Sequence, residues 1–185
     1  MINSKILCLG DSITFGYEIE VSQRWTNLLQ ENLNCNVLNF GINGDTTSGM
    51  LARCERLLLE HQPTHLIILG GTNDLWFGLT DGFIISNIYA IIKQAKHNNV
   101  EVIIGIPTPS YNLEELNFKN KNYSDTINNF RKSLINFCVY KDLNYIDFGA
   151  NMKDYHFLDD GIHPNEAGQI VMNENALGIL KKLNN

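Results

Sequence analysis

Basic side chains are scarce in this chain: 14 Lys and Arg stand against 20 Asp and Glu, a formal net charge of −6. Phosphate backbones are bound by clustered cations, so a nucleic-acid partner is not expected. The one local basic hint, Lys119 to Lys121, sits among asparagines and reads as a solvated loop. Long apolar runs are lacking too, since nothing approaches the roughly 20 apolar residues that a membrane span needs. The opening, Met1-Ile2-Asn3-Ser4-Lys5-Ile6-Leu7-Cys8-Leu9, has too short an apolar stretch for a signal peptide and no small-residue cleavage site. The cytoplasm is therefore the expected compartment. The four cysteines, Cys8, Cys35, Cys54 and Cys138, form no C-x-x-C pair and have no histidine at metal-ligand spacing. Buried free thiols are expected, with no metal site and no cofactor.

What remains is 185 residues, enough for one domain with a sizeable core. Apolar runs of strand length alternate with helical patterns. Strands are predicted at Lys5–Leu9, Asn36–Phe40, His65–Leu69, Glu101–Ile106 and Asn144–Asp147. Their nearly continuous Ile, Leu and Val content suits parallel strands covered on both faces. Helices are predicted at Arg24–Asn32, Thr47–Glu60, Gly82–Asn98 and Ser124–Lys141, with a last one following Pro164 to about Lys182. Ile84, Ile88, Ile91, Ile92 and Ala95 repeat at helical spacing, a core-facing stripe. The alternation implies a doubly wound α/β domain with no second core. Two loops stand out. Pro107 to Tyr123 is long and asparagine-rich, and Leu75-Trp76-Phe77-Gly78-Leu79-Thr80 reads as an exposed loop with aromatic content.

The chemistry collects at strand ends. Ser12 follows the first strand, Gly44 the second, Asn73 the third, and Asp160 and His163 the last. Open parallel sheets bind ligands at the carboxyl ends of their strands, so connectivity alone brings these residues to one edge. Serine needs a base to become nucleophilic, and histidine changes charge near neutrality. Asp160, three residues before His163, can accept from Nδ1 and leave Nε2 facing Ser12. The Ser12 amide, the Gly44 amide and the Asn73 side-chain NH₂ are candidate donors to an oxyanion. Each short segment alone reads as a turn or a helix cap. Their joint occurrence at strand ends argues for catalysis. His156, between Tyr155 and Phe157, is the rival base, although its aromatic neighbours suggest packing. Asp11, Asp45 and Asp74 are expected to tie the loops together through backbone hydrogen bonds. Trp76 and Phe77 are candidates for substrate binding.

Four blocks, in order, carry a family resemblance: Gly10-Asp11-Ser12-Ile13, Asn43-Gly44-Asp45-Thr46, Gly71-Thr72-Asn73-Asp74 and Asp160-Gly161-Ile162-His163. The chain resembles the SGNH hydrolases, also called the GDSL esterase/lipase family, with Ile13 where the family name has Leu. The resemblance implies a flavodoxin-like three-layer α/β/α fold with a central parallel sheet of about five strands. It implies an acyl-enzyme mechanism without metal, with Ser12, Asp160 and His163 as triad and Ser12, Gly44 and Asn73 as oxyanion hole. The compact length and Thr46-Thr47-Ser48-Gly49-Met50-Leu51-Ala52-Arg53 look most like the small bacterial arylesterase and acyl-CoA thioesterase/lysophospholipase members. The expected partner is a small-molecule acyl ester, with oligomeric state left open. A carbohydrate O-acetyl esterase is the first alternative, suggested by Asn112, Asn117 and Asn120. A flavodoxin-like binding module for FMN or another phosphate ligand is the remote one.

Overall fold

Successive residues of a strand point to opposite faces of its sheet, and this alternation divides the core of the chain into two halves. The computed structural model describes residues 4–111 and 113–184. Met1, Ile2, Asn3 and Asn185 lie outside it, as does Asn112. Five strands, β1 (Lys5–Gly10), β2 (Asn36–Gly41), β3 (His65–Leu69), β4 (Glu101–Ile106) and β5 (Asn144–Asp147), form one sheet in the order β2-β1-β3-β4-β5. Every pairing is parallel. The predicted strands hold, with β1 and β2 each one residue longer, ending on Gly10 and Gly41.

Seven helices cover the sheet among the described residues: α1 (Ser12–Phe15), α2 (Trp25–Leu33), α3 (Thr47–His61), α4 (Thr72–Trp76), α5 (Asp81–His97), α6 (Tyr123–Lys141) and α7 (Glu166–Leu180). On one face Leu7, Leu9, Leu66, Ile68 and Ile104 pack against Met50 and Cys54 of α3, Ile88 and Ile91 of α5, and Phe130 and Leu134 of α6. On the other, Ile6, Cys8, Ile67, Ile103 and Ile146 pack against Trp25 and Leu29 of α2 and Met172 and Ala176 of α7. The result is the expected three-layer α/β/α arrangement. Cys8, Cys54 and Cys138 are buried free thiols as expected, whereas Cys35 is only half buried. No helix among the described residues is long and apolar enough to cross a membrane.

Two short helices escape the sequence pattern. Single turns such as α1 and α4 are too brief to show a 3.6-residue period, and their ends are set by caps instead. Asp11 Oδ1 accepts from Ile13 N at 2.9 Å to start α1. Because α4 runs through Leu75 and Trp76, the exposed loop expected from Leu75 to Thr80 is corrected: Leu75 is fully buried. The strand order reverses between β1 and β3, the crevice where such sheets bind ligands, and Ser12 and Asn73 sit in the first turns beyond those two strands.

Candidate active site

Ser12 is the first residue of α1 and is 8 % exposed. Its Oγ lies 2.8 Å from His163 Nε2, although 151 residues separate the two in sequence. His163 Nδ1 lies 2.6 Å from Asp160 Oδ2. The backbone explains how a residue only three positions earlier reaches the ring. Asp160 Oδ1 accepts from Ile162 N at 2.8 Å and from His163 N at 2.9 Å, folding residues 160–163 into a tight turn. Gly161 takes φ +66° in that turn, and a Cβ there would stand 2.0 Å from the Tyr111 carbonyl oxygen. A side chain at position 161 would therefore force either the turn or the Tyr111 backbone to shift. Burial pulls the Asp160 carboxyl upward, but the His163 amide, the His163 ring and the Ile162 amide outweigh it and hold the group below its ordinary value.

The loop is anchored from behind by α7. Asn165 caps that helix through Oδ1, accepting from Gly168 N at 3.1 Å, while its Nδ2 donates to the carbonyls of Tyr155 and Phe157. His156, the rival base, is taken up by the same segment. It is buried, and its Nδ1 accepts from Lys153 N at 2.9 Å within a one-turn 3₁₀ helix. The histidine at Ser12 is His163.

The three candidate oxyanion donors come from three neighbouring strand ends. Neither the Ser12 N–H nor the Gly44 N–H has an acceptor among the described residues, and Gly44 is exposed with φ +76°. Asn73 Nδ2 donates to the Asp45 carbonyl at 2.9 Å, which orients the amide and leaves its second N–H for another acceptor. The aspartates carry this alignment. Asp45 pairs with Arg53 at 2.8 Å, and Arg53 also donates to the Gly10 carbonyl at 3.0 Å, joining the β2 loop to the end of β1. Asp74 accepts from Thr47 N at 2.9 Å and Thr47 Oγ1 at 2.6 Å, joining α4 to the start of α3. Asp11 Oδ2 accepts from Thr72 Oγ1 at 2.9 Å, joining α1 to α4. Arg53 and Thr72 were not singled out from the sequence. Asp45 lies before α3 and Arg53 stands eight residues on, outside the three- or four-residue spacing of helical pairs, so no local sequence signal joins them.

Asp11 is completely buried, and desolvation pushes its carboxyl up to about 6 despite hydrogen bonds from Ile13 and Thr72 that pull it down. Because the folded value is raised, this group's favourable contribution is full below the unfolded value of about 4 and lost as pH rises through 6. Asp11→Asn removes that loss: its Oδ1 accepts from Ile13 N and its Nδ2 donates to Thr72 Oγ1, reversing that one bond. Urea unfolding from pH 4 to 7 should show wild type falling relative to the variant by on the order of 2–3 kcal/mol. Parallel stability curves would mean that the buried carboxyl is not raised.

Trp76 and Phe77 part company. Trp76 sets its ring against Tyr123 at 5.1 Å and Phe118 at 6.0 Å and packs on the core. Phe77 is half exposed and lies 5.6 Å from Phe118, which is itself exposed. Of the asparagines read as sugar contacts, Asn112 lies outside the described residues. Asn117 is buried and donates to the Leu75 carbonyl while its Oδ1 accepts from Lys119 N and Lys121 N. Asn120 occupies a left-handed turn position at φ 55°. The two that are described serve the loop itself.

A family model described as GDSL-like Lipase/Acylhydrolase family matches residues 8–170. An arylesterase of Vibrio mimicus is 30% identical over 175 residues, covering 90% of this chain and 83% of its own. An Escherichia coli K12 protein named thioesterase 1/protease 1/lysophospholipase L1 is 29% identical over 167 residues, covering 89% of this chain and 77% of its own. Among solved structures, the psychrotrophic esterase EstA of Pseudoalteromonas sp., inhibited by monoethylphosphonate, superposes with a TM-score of 0.81 at 25% identity, over 99% of this chain and 100% of its own.

Proposed function

Because the chain belongs to the GDSL-like lipase/acylhydrolase family, we propose that it hydrolyses acyl esters through an acyl-enzyme formed on Ser12. The observation that carries this reading is the unbroken relay from Ser12 Oγ to His163 Nε2 at 2.8 Å and from His163 Nδ1 to Asp160 Oδ2 at 2.6 Å. In the first half-reaction Ser12 Oγ attacks the ester carbonyl and His163 Nε2 takes its proton. Asp160, held as a carboxylate by its three hydrogen bonds, fixes the Nδ1–H tautomer and faces the imidazolium that forms. The carbonyl oxygen becomes an oxyanion, met by the Ser12 and Gly44 amides and the free N–H of Asn73. His163 then returns its proton to the departing alcohol. In the second half-reaction water attacks the acyl-enzyme, His163 takes its proton, and the acid leaves as Ser12 Oγ is reprotonated.

The proposed substrates are small or medium acyl esters, with thioesters and lysophospholipids as extensions suggested by the names of the relatives. Sugar acetates are disfavoured by the internal bonding of Asn117. A phosphate-binding module is disfavoured by the buried Asp11 carboxyl at the start of α1, which would repel the anion. The panel to run is p-nitrophenyl acetate, butyrate and octanoate, an acyl-CoA and acetylated xylan. Turnover of the aryl esters above that of acetylated xylan is expected. A preference of ten-fold or more for acetylated xylan would replace this reading with the carbohydrate esterase.

A further inference from the structure

Tyr17 lies against the imidazole of His163, with ring centroids 4.6 Å apart and planes inclined at 39°. No step described so far uses it. The backbone delivers it deliberately close to the nucleophile: Ser12 carbonyl oxygen accepts from Gly16 N at 2.9 Å and from Tyr17 N at 3.1 Å, so Tyr17 leaves the same turn that presents Ser12. Its neighbours on either side, Gly16 at φ 80° and Glu18 at φ 58°, are left-handed. A non-glycine residue such as Glu18 adopts that conformation at a cost, which persists only where the surroundings hold it. Arg24 braces the turn, donating through Nε to the Ile19 carbonyl at 3.0 Å and lying 4.3 Å from the centre of the Phe15 ring. The phenol stays neutral, since the neighbouring Glu18 carboxylate, with a smaller contribution from Asp160, pushes its value up.

We propose that Tyr17 is a positioning residue for His163, covering one face of the imidazole and stabilising the imidazolium formed when Ser12 attacks. An aromatic face within about 6 Å attracts a cation, and the attraction strengthens once water is excluded by substrate. The ring also closes off one direction in which the imidazole could tilt away from Ser12. The benefit is realised only after proton transfer, so it belongs to kcat and not to KM. The other charged groups acting on His163 are Asp160 on its own turn and Asp11 at the start of α1, with Glu18 behind the Tyr17 phenol.

The inference rests on the esterase reading, and its test separates the two. Tyr17→Phe keeps the ring and should stay within about twofold of wild type in kcat. Tyr17→Leu should lose about 3- to 30-fold in kcat with KM nearly unchanged. Without the π face the imidazolium is less favoured, so the acidic limb of kcat/KM against pH should move to lower pH in Tyr17→Leu and return in Tyr17→Phe. Should Tyr17→Leu fail to fold, phenylalanine carrying five ring fluorines at position 17 replaces it: size is kept while the ring face loses its negative charge, and kcat should fall as in Tyr17→Leu. Equal kcat in the Leu and wild-type proteins overturns the proposal, as does a rise in KM alone, a kcat loss with an unmoved acidic limb, or a Phe variant as impaired as the Leu variant. Full activity of the fluorinated protein overturns it equally. If Ser12→Ala in the same assay also retained activity, the reading of an acyl-enzyme on Ser12 would fall, and if wild type turned over no ester, the esterase reading itself would fall.

Discussion

Ser12→Ala is expected to lower kcat for p-nitrophenyl butyrate by at least about 10⁴-fold, leaving only what the oxyanion donors and binding contribute. The fold should survive, because the change removes one oxygen from a residue whose carbonyl accepts from Gly16 N and Tyr17 N, while Asp11 holds the next amide, Ile13 N. Among the described residues the Ser12 hydroxyl hydrogen-bonds only His163, so no core contact is lost with it. Steady-state kinetics with far-UV circular dichroism on the same sample checks both halves. A variant that is folded and retains a tenth of wild-type turnover would show that another group attacks the ester.

Asn73→Ala carries the second large effect. One neutral donor aimed at a developing oxyanion is worth about 10²–10³ in kcat, and little in ground-state binding. Asn73 sits in the first turn of α4, tied by its own amide to the Asp45 carbonyl, with Asp74 beside it locked to Thr47. Removing the amide frees the half-buried Asp45 carbonyl but leaves the Asp74–Thr47 and Asp11–Thr72 links in place. The expected pattern is therefore a fall in kcat of two to three orders of magnitude with KM changed by less than threefold. A comparable rise in KM with kcat preserved would place Asn73 in substrate binding and leave the oxyanion with the two amides. Asp45→Ala serves as the contrast, since it strips the Arg53 pair but not the carbonyl that Asn73 uses.

The strands were legible because burial on both faces leaves an unmistakable apolar run, as in Leu66-Ile67-Ile68-Leu69. Once those five runs were read as parallel, the edge on which Ser12, Gly44, Asn73, Asp160 and His163 lie followed from connectivity. Short features were not legible. A helix of four or five residues has no period to detect, and Trp76 looked exposed because the helix that turns its ring onto Tyr123 was not foreseen. Asn117 read as a surface polar residue, yet it is buried, because a tight turn at 117–121 uses its side chain as backbone does, accepting from Lys119 and Lys121. Tyr17 gave no signal as a lone tyrosine; only the left-handed pair around it brings its ring onto His163. Contacts between segments more than a hundred residues apart depend on the fold and not on local pattern, and the Trp25 amide on Gln169 is another such case.

The central claim is that Ser12, activated by His163, forms a covalent acyl intermediate. The most direct test treats the protein with a p-nitrophenyl alkylphosphonate and maps the adduct by peptide mass. The predicted result is one phosphonyl group bound to Ser12 Oγ, with one equivalent of nitrophenolate released as it forms, and a rate lower by orders of magnitude in His163→Ala. An adduct on a different residue, or continued ester turnover with Ser12 unmodified, would contradict it.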